Sequence, residues 1–354
     1  MNALTAIRVD DLGEGAAFTG DWKSFARIAL PNLILTVLTL GLYRFWAKAR
    51  ERRYLWAHTR MLGSELEWTG NGTELLVGFL IAIPIFLPIA IAAGLVLPII
   101  AKALDWVWLI PIGAAIYGLL YFFISFARFR ALRYRLARTY WRGIHGRGVG
   151  SGFRYAFKAL GWYAVAVLSL GILFPWTQAK LWNERWRAMS FGGVAVRSDV
   201  TTKAVRANWA VVWLCFAAGN AVLLLITIPG IVVYGPGAPR LVLPLLIYAV
   251  MGIAYLAYQA TFYRSAVDWM SFGDLTFTFD ADFNDWLVFY MKTVLLTVGT
   301  LGIAYFFYGY RKWAFFMSRL ELHGGVELAE LRRARALGPG DAEGLADAFE
   351  IGAF

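Results

Sequence analysis

Four apolar blocks constrain this chain more than any other feature: residues 75–101, 106–127, 207–234 and 241–263. Each approaches or exceeds the roughly 20 residues a helix needs to cross a bilayer. A helix satisfies its own backbone hydrogen bonds in lipid, whereas an open strand does not, so the blocks predict four transmembrane helices. Composition agrees: 16% of residues are charged, against about 25% in soluble domains. The opening "MNALTAIRVDDLGEGAAFTGDW" lacks a basic start followed by an apolar core and does not read as a cleaved signal peptide. Cys215 is the only cysteine, which excludes intramolecular disulfides and thiolate metal clusters.

The net charge of +11 raises the question of nucleic acid. Lysine and arginine accumulate in the cytoplasmic loops of membrane proteins, and here they alternate with Trp, Tyr and Phe beside apolar helices. That mixture suits the headgroup layer, where long cationic side chains and aromatic rings each find their level. The expected partners are the bilayer and its anionic headgroups, not nucleic acid.

A composite pattern occurs three times. Short apolar runs at 28–42, 159–174 and 293–308 each end near a Leu-Gly pair, with the helix-breaking glycines at Gly41, Gly171 and Gly302. An aromatic cluster follows, around Trp46, Trp176 and Tyr308. Next come basic helical stretches: Lys48, Arg50, Arg52 and Arg53, then Lys180, Arg185 and Arg187, then Arg311, Lys312 and Arg319. Each copy closes on a glycine and a brief alternating segment, a weak strand signal. The units run over about 28–68, 155–198 and 286–328, inside a helical membrane domain at 28–328. A polar segment at 1–27 precedes that domain, and an acidic tail at 329–354 that reads as disordered follows it.

The strings "LTLGLYRFWAKARERRYLW", "G-x-x-x-x-W-T-G-N-G" and "LSLGILFPWTQAKL" resemble the YjgN family of bacterial inner-membrane proteins, over about Phe18 to Leu328. The resemblance implies a helical inner-membrane protein. It implies no catalytic residue, because the family has no assigned biochemical function. The third copy, "YFFYGYRK", departs from the pattern in lacking the aromatic pair with Trp.

The expected fold is therefore an all-α polytopic membrane protein. Four long and three short apolar helices lie in internal repeats, with short β segments at the cytoplasmic face. If all seven helices cross, the basic linkers 127–158 and 175–207 fall on opposite sides, against the positive-inside bias. If the short runs dip in and return at their glycines, only four helices cross and every basic linker faces the cytoplasm. Short helices are commoner than tight dips, so seven crossings is the preferred expectation; both arrangements put the C-terminus in the cytoplasm.

Chemistry-bearing motifs are scarce. His58, His145 and His323 have no partner at metal-ligand spacing. "GIHGRGVGSGF" at 143–153 reads as a flexible basic linker, and "DLTFTFDADFNDW" as a strand and an acidic turn leading into a helix. Prolines 84, 88, 111, 229 and 244 predict kinks. No nucleophile, acid pair, cofactor motif or metal site emerges, so the chain is not expected to be an enzyme. The candidate lipid-interface residues are Trp46, Arg50, Arg53, Trp176, Lys180, Arg185, Arg311 and Lys312. On interfacial helices, each cation near anionic phosphates contributes about 1 kcal/mol. The preferred expectation is a protein that binds or transports a small or lipid-like ligand. The alternative is a non-catalytic scaffold that organises lipids or partners.

Overall fold

The computed structural model describes residues 6–9, 15–100, 102, 106–234 and 242–327. From the N-terminus come β1 (Ala6–Arg8), β2 (Ala16–Phe18), α1 (Trp22–Leu38), α2 (Arg44–Ala57), β3 (Thr59–Met61) and β4 (Ser64–Trp68). Then α3 (Gly72–Ile91) runs through a π-turn at Ala92–Val96 into α4 (Leu97–Ile100), and α5 (Trp106–Arg138) returns to β5 (Thr139–Trp141) and β6 (Ile144–Gly148). Next are α6 (Gly152–Leu168), α7 (Phe174–Arg187), β7 (Met189–Phe191), β8 (Val194–Ser198), α8 (Arg206–Tyr234) and α9 (Val242–Asp268). The remainder is β9 (Met270–Phe272), β10 (Leu275–Phe279), α10 (Phe283–Gly299), α11 (Tyr308–Met317), β11 (Leu320–His323) and β12 (Gly325–Glu327).

The all-α expectation is overturned. Strands β2 to β11 form one ten-stranded antiparallel meander in chain order. Its first and last strands come together, so that the sheet is a nearly closed barrel. β12 leaves the meander to pair with β1, and Val9 N–H donates to Gly324 O at 2.9 Å. Within the N-terminal segment β2 belongs to the barrel, through its pairing with β3, and β1 pairs separately with β12; the tail predicted over 329–354 lies outside the described residues. β4 shows why such short segments hold: Leu66 and Trp68 are buried on one face while Glu65 and Glu67 are exposed on the other. The turns match the twist of the strands. Leu62-Gly63 and Arg142-Gly143 have positive φ at both residues, as a type I′ hairpin requires. The glycine-rich stretch expected to be a linker is instead β6, paired with β5 and with β7.

Helical hairpins alternate with β-hairpins around this ring. Among the described residues four helical spans are long and apolar enough to cross a membrane: Gly72–Ile100, Val107–Arg138, Arg206–Leu225 and Pro244–Asp268. Each helical hairpin leaves the sheet and returns to it. The seven-crossing arrangement would put β5–β6 and β7–β8 on opposite sides of the bilayer. Gly146 pairs with Phe191 and Gly148 with Met189, so these linkers are neighbours in one sheet and that expectation falls.

The three short hairpins turn by the same geometry. Gly41 N–H reaches back five residues to Thr36 O, Gly171 to Ala166 O and Gly302 to Thr297 O, each at 2.7 Å. The residue two before each glycine closes a turn: Thr39 and Thr300 Oγ1 accept from the N–H four residues on, as does Ser169 Oγ. Both residues of each Leu-Gly pair have positive φ, between 49° and 93°. Glycine takes this conformation freely, but leucine pays about 1–2 kcal/mol. Yet Leu40 and Leu301 are 95% exposed and Leu170 77%. A strained leucine at a bare tip gains nothing in water, whereas among acyl chains it is in its own solvent. α1, at 17 residues, extends about 25 Å, short of the roughly 30 Å hydrocarbon core.

The largest buried cluster lies where the first and last helical hairpins meet the sheet. Trp56 stacks on Trp313 with centroids 4.6 Å apart, and Tyr134, Trp68 and Trp141 complete the cluster. The indoles also bond across elements: Trp56 donates to Thr139 Oγ1, Trp313 to Thr59 Oγ1 and Trp141 to Met61 O.

Candidate functional site

The interface residues expected from sequence separate onto different surfaces. Trp46 stacks with Tyr43 at 6.2 Å, and Arg50 lies 5.5 Å from the same tyrosine ring, with a long contact of 3.5 Å to Asn32 Oδ1 on α1. Arg53 is exposed on α2. Trp176 packs edge-on against Trp162 of α6, and Lys180 lies 5.8 Å above its ring. Arg185 covers the Trp182 ring at 5.3 Å. Arg311 sits 5.8 Å from the Phe289 ring of α10, and burial pushes its guanidinium below its usual pKa. Arg50, Lys180 and Arg311 thus lie against side chains of their own helical hairpins.

A different group does converge. α2 and α11 flank a cleft of two adjoining cavities, about 380 and 110 Å³, that share Lys48, Glu51, Tyr308 and Gly309. The larger is also lined by Thr36, Arg44, Phe45, Leu75, Tyr305 and Phe306. The smaller reaches the sheet and adds Arg52, Arg135, Lys312, Trp56 and Trp313. Lys48, Arg52, Arg135 and Lys312 therefore face one space together with a single carboxylate, Glu51, which is 3.2 Å from Lys48. Glu51 and Lys48 are largely buried there, and Arg52 is 5% exposed, its guanidinium 5.2 Å from the Trp68 ring. Cations in such a half-dry setting attract an anion more strongly than exposed ones do, because water screens them less. Of the candidate lipid-interface residues named from sequence only Lys312 lines this cleft. Lys48 and Arg52 were legible as an i,i+4 pair on one helical face. Arg135, on a different helix, left no local signal.

A second charged cluster is structural. Arg138 on α5 pairs with Glu74 at the start of α3 at 2.6 Å, and the buried Tyr134 hydroxyl donates to the other oxygen of that carboxylate at 2.8 Å. Asp282 and Asp285 form a capping box at the start of α10, which bears out the acidic turn read from sequence. Backbone N–H donation from Asp285 holds the Asp282 carboxyl below its usual pKa. Among the described residues no group of three or more metal-ligating side chains is found.

Comparison with known proteins bears out the sequence resemblance. The family model for a bacterial protein of unknown function, DUF898, matches residues 14–348. The inner membrane protein YjgN of Salmonella typhimurium is 25% identical over 167 residues, which cover 47% of this chain and 38% of that protein. No solved structure matches. With a match along nearly its whole length and four helices fit to cross a bilayer, the chain is a membrane protein belonging to the DUF898 family of bacterial proteins of unknown function.

Proposed function

We propose that this protein resides in the bacterial inner membrane and binds an anionic amphiphile in the cleft between α2 and α11. In this reading α3–α4, α5, α8 and α9 cross the bilayer. The three short hairpins, read as copies of one unit, enter only part way. The barrel and the C-terminus face the cytoplasm, because the basic linkers gather at the sheet while Lys102 is the one cation in its interhelical turn. The observation that carries the ligand class is the meeting of Lys48, Arg52, Arg135 and Lys312 around one carboxylate, beside a larger cavity whose lining includes Phe45, Leu75 and Phe306. A phosphate or carboxylate headgroup sits among these four cations, which outnumber the carboxylate lining the same space, and Phe45, Leu75 and Phe306 receive the tail.

The test is binding of short-chain phosphatidylglycerol and phosphatidylcholine to the purified protein, followed by native mass spectrometry. The wild type is expected to prefer phosphatidylglycerol. At about 1 kcal/mol per basic residue, K48Q combined with K312Q should weaken that binding about thirtyfold and leave phosphatidylcholine binding unchanged. Equal affinity for the two lipids in the wild type would contradict the reading.

A further inference from the structure

The second short hairpin forms another cavity, on a different side of the ring. The start of α7 and the first turns of α8 enclose a groove of about 710 Å³, lined by Ile172, Leu173, Pro175, Trp176, Trp209, Ala210, Trp213 and Leu214. That volume is within the roughly 300–1,000 Å³ of ordinary ligand pockets. The groove is pinned open rather than collapsed. Trp209 Nε1–H donates to Gly171 O at 3.0 Å and Trp213 Nε1–H to Leu170 O at 2.9 Å, so two α8 indoles satisfy the carbonyls of the hairpin tip. With their N–H groups engaged, the rings present apolar faces to the groove.

Charge is confined to one end. Arg206, exposed at the first residue of α8, is the only ionisable residue among the lining side chains, with Thr202 beside it. Arg206 begins the candidate span Arg206–Leu225, so it lies at the sheet end of the groove while Trp213 and Leu214 lie two turns deeper. A second apolar cavity, between α5 and α6 and about 420 Å³, is lined by Ala114, Ala115, Gly118, Leu119, Phe122, Phe157 and Leu160 with no charged residue. The α7–α8 groove differs from it in having a cation at one end and an apolar lining beyond it.

We infer that the α7–α8 groove is a phospholipid site that seats one acyl chain along Leu173, Trp209 and Trp213 and places the lipid phosphate against Arg206. Every phospholipid carries that phosphate, so the site takes zwitterionic and anionic lipids alike. This inference is independent of the α2–α11 cleft, whose proposed ligand is selected by net negative charge.

The test uses the full-length protein in nanodiscs of phosphatidylcholine doped with a phosphatidylcholine bearing a diazirine near the end of one acyl chain. After illumination, crosslinks are mapped by peptide mass spectrometry. Capture is expected to concentrate in peptides spanning 170–176 and 206–214. A210W, which fills the groove from an exposed position, should reduce that capture about tenfold while labelling of α3 and α5 stays as it was. R206Q, which leaves the groove open, should reduce it severalfold. Even labelling of all four spans, or capture at 170–176 and 206–214 that neither variant changes, would overturn the inference. Retained capture in nanodiscs with the cleft variants K48Q and K312Q separates this site from the cleft.

Discussion

Replacing Glu74 with alanine is expected to be among the most destabilising single substitutions in the protein, at about 3–5 kcal/mol. Glu74 sits in the first turn of α3, where the helix dipole favours a carboxylate. Its two oxygens serve different partners on α5: one pairs with Arg138, the other accepts from Tyr134. The Glu74 and Arg138 side chains are 15% and 16% exposed, and Tyr134 is fully buried beneath Trp68. Removing the carboxylate leaves a guanidinium and a hydroxyl without their acceptor in a mostly dry setting. Breaking one side of a buried pair costs far more than such a pair contributes net. The first two long helices are then no longer tied together at their sheet end. Thermal unfolding in detergent should show a midpoint several degrees lower for E74A and a smaller loss for E74Q, which still accepts from Tyr134. An unchanged midpoint for E74A would show that the network carries no stability.

Gly324→Val should have a comparable effect through the backbone. Gly324 has φ of +90°, a region β-branched residues scarcely enter. An added Cβ would also run into the carbonyl oxygen of Asp274, on the adjacent β9–β10 turn. The strain alone is about 1–3 kcal/mol, and the overlap can be relieved only by moving backbone. This residue is where β11 ends and the chain turns to pair with β1, and its carbonyl accepts from Val9. G324V is therefore expected to unseat β1 and β12. The measurement is limited proteolysis of the N-terminal segment alongside the melting curve. Rapid cleavage before residue 20 is expected in the variant and not in the wild type. Gly299→Ala is the control, since open space surrounds that position and its φ is not positive. Equal protection of G324V and wild type would contradict the pairing of β1 with β12.

The parts legible in sequence were those written in continuous runs. The long helices announced themselves through blocks of twenty or more apolar residues, and the hairpin tips through Leu-Gly pairs that turned out to share their hydrogen bonds as well as their letters. The barrel was nearly invisible because each strand has three to five residues. A strand of that length carries too little alternation to outweigh its neighbours. "TYWRGIHGRG" reads as basic and glycine-rich, and only its pairing with Met189–Phe191 makes it a strand. The same long-range pairing fixes which linkers share a side, which no local window contains. On α2 the sequence offered two charged faces, Arg50 with Arg53 and Lys48 with Arg52. Composition does not say which one turns toward α11; the packing of Trp56 against Trp313 does.

The account rests on one sheet lying on one side of the membrane. Single cysteines at Arg142, Arg197 and Asp274, all exposed on the hairpins, and at Lys102 in the turn between α4 and α5, test this in a Cys215→Ser background. With a membrane-impermeant maleimide, the three hairpin cysteines are predicted to react in inside-out vesicles and to stay unlabelled in intact spheroplasts, with Lys102→Cys showing the reverse. Labelling of the cysteines at 142 and 197 from opposite faces would break the sheet that joins them, and with it the account.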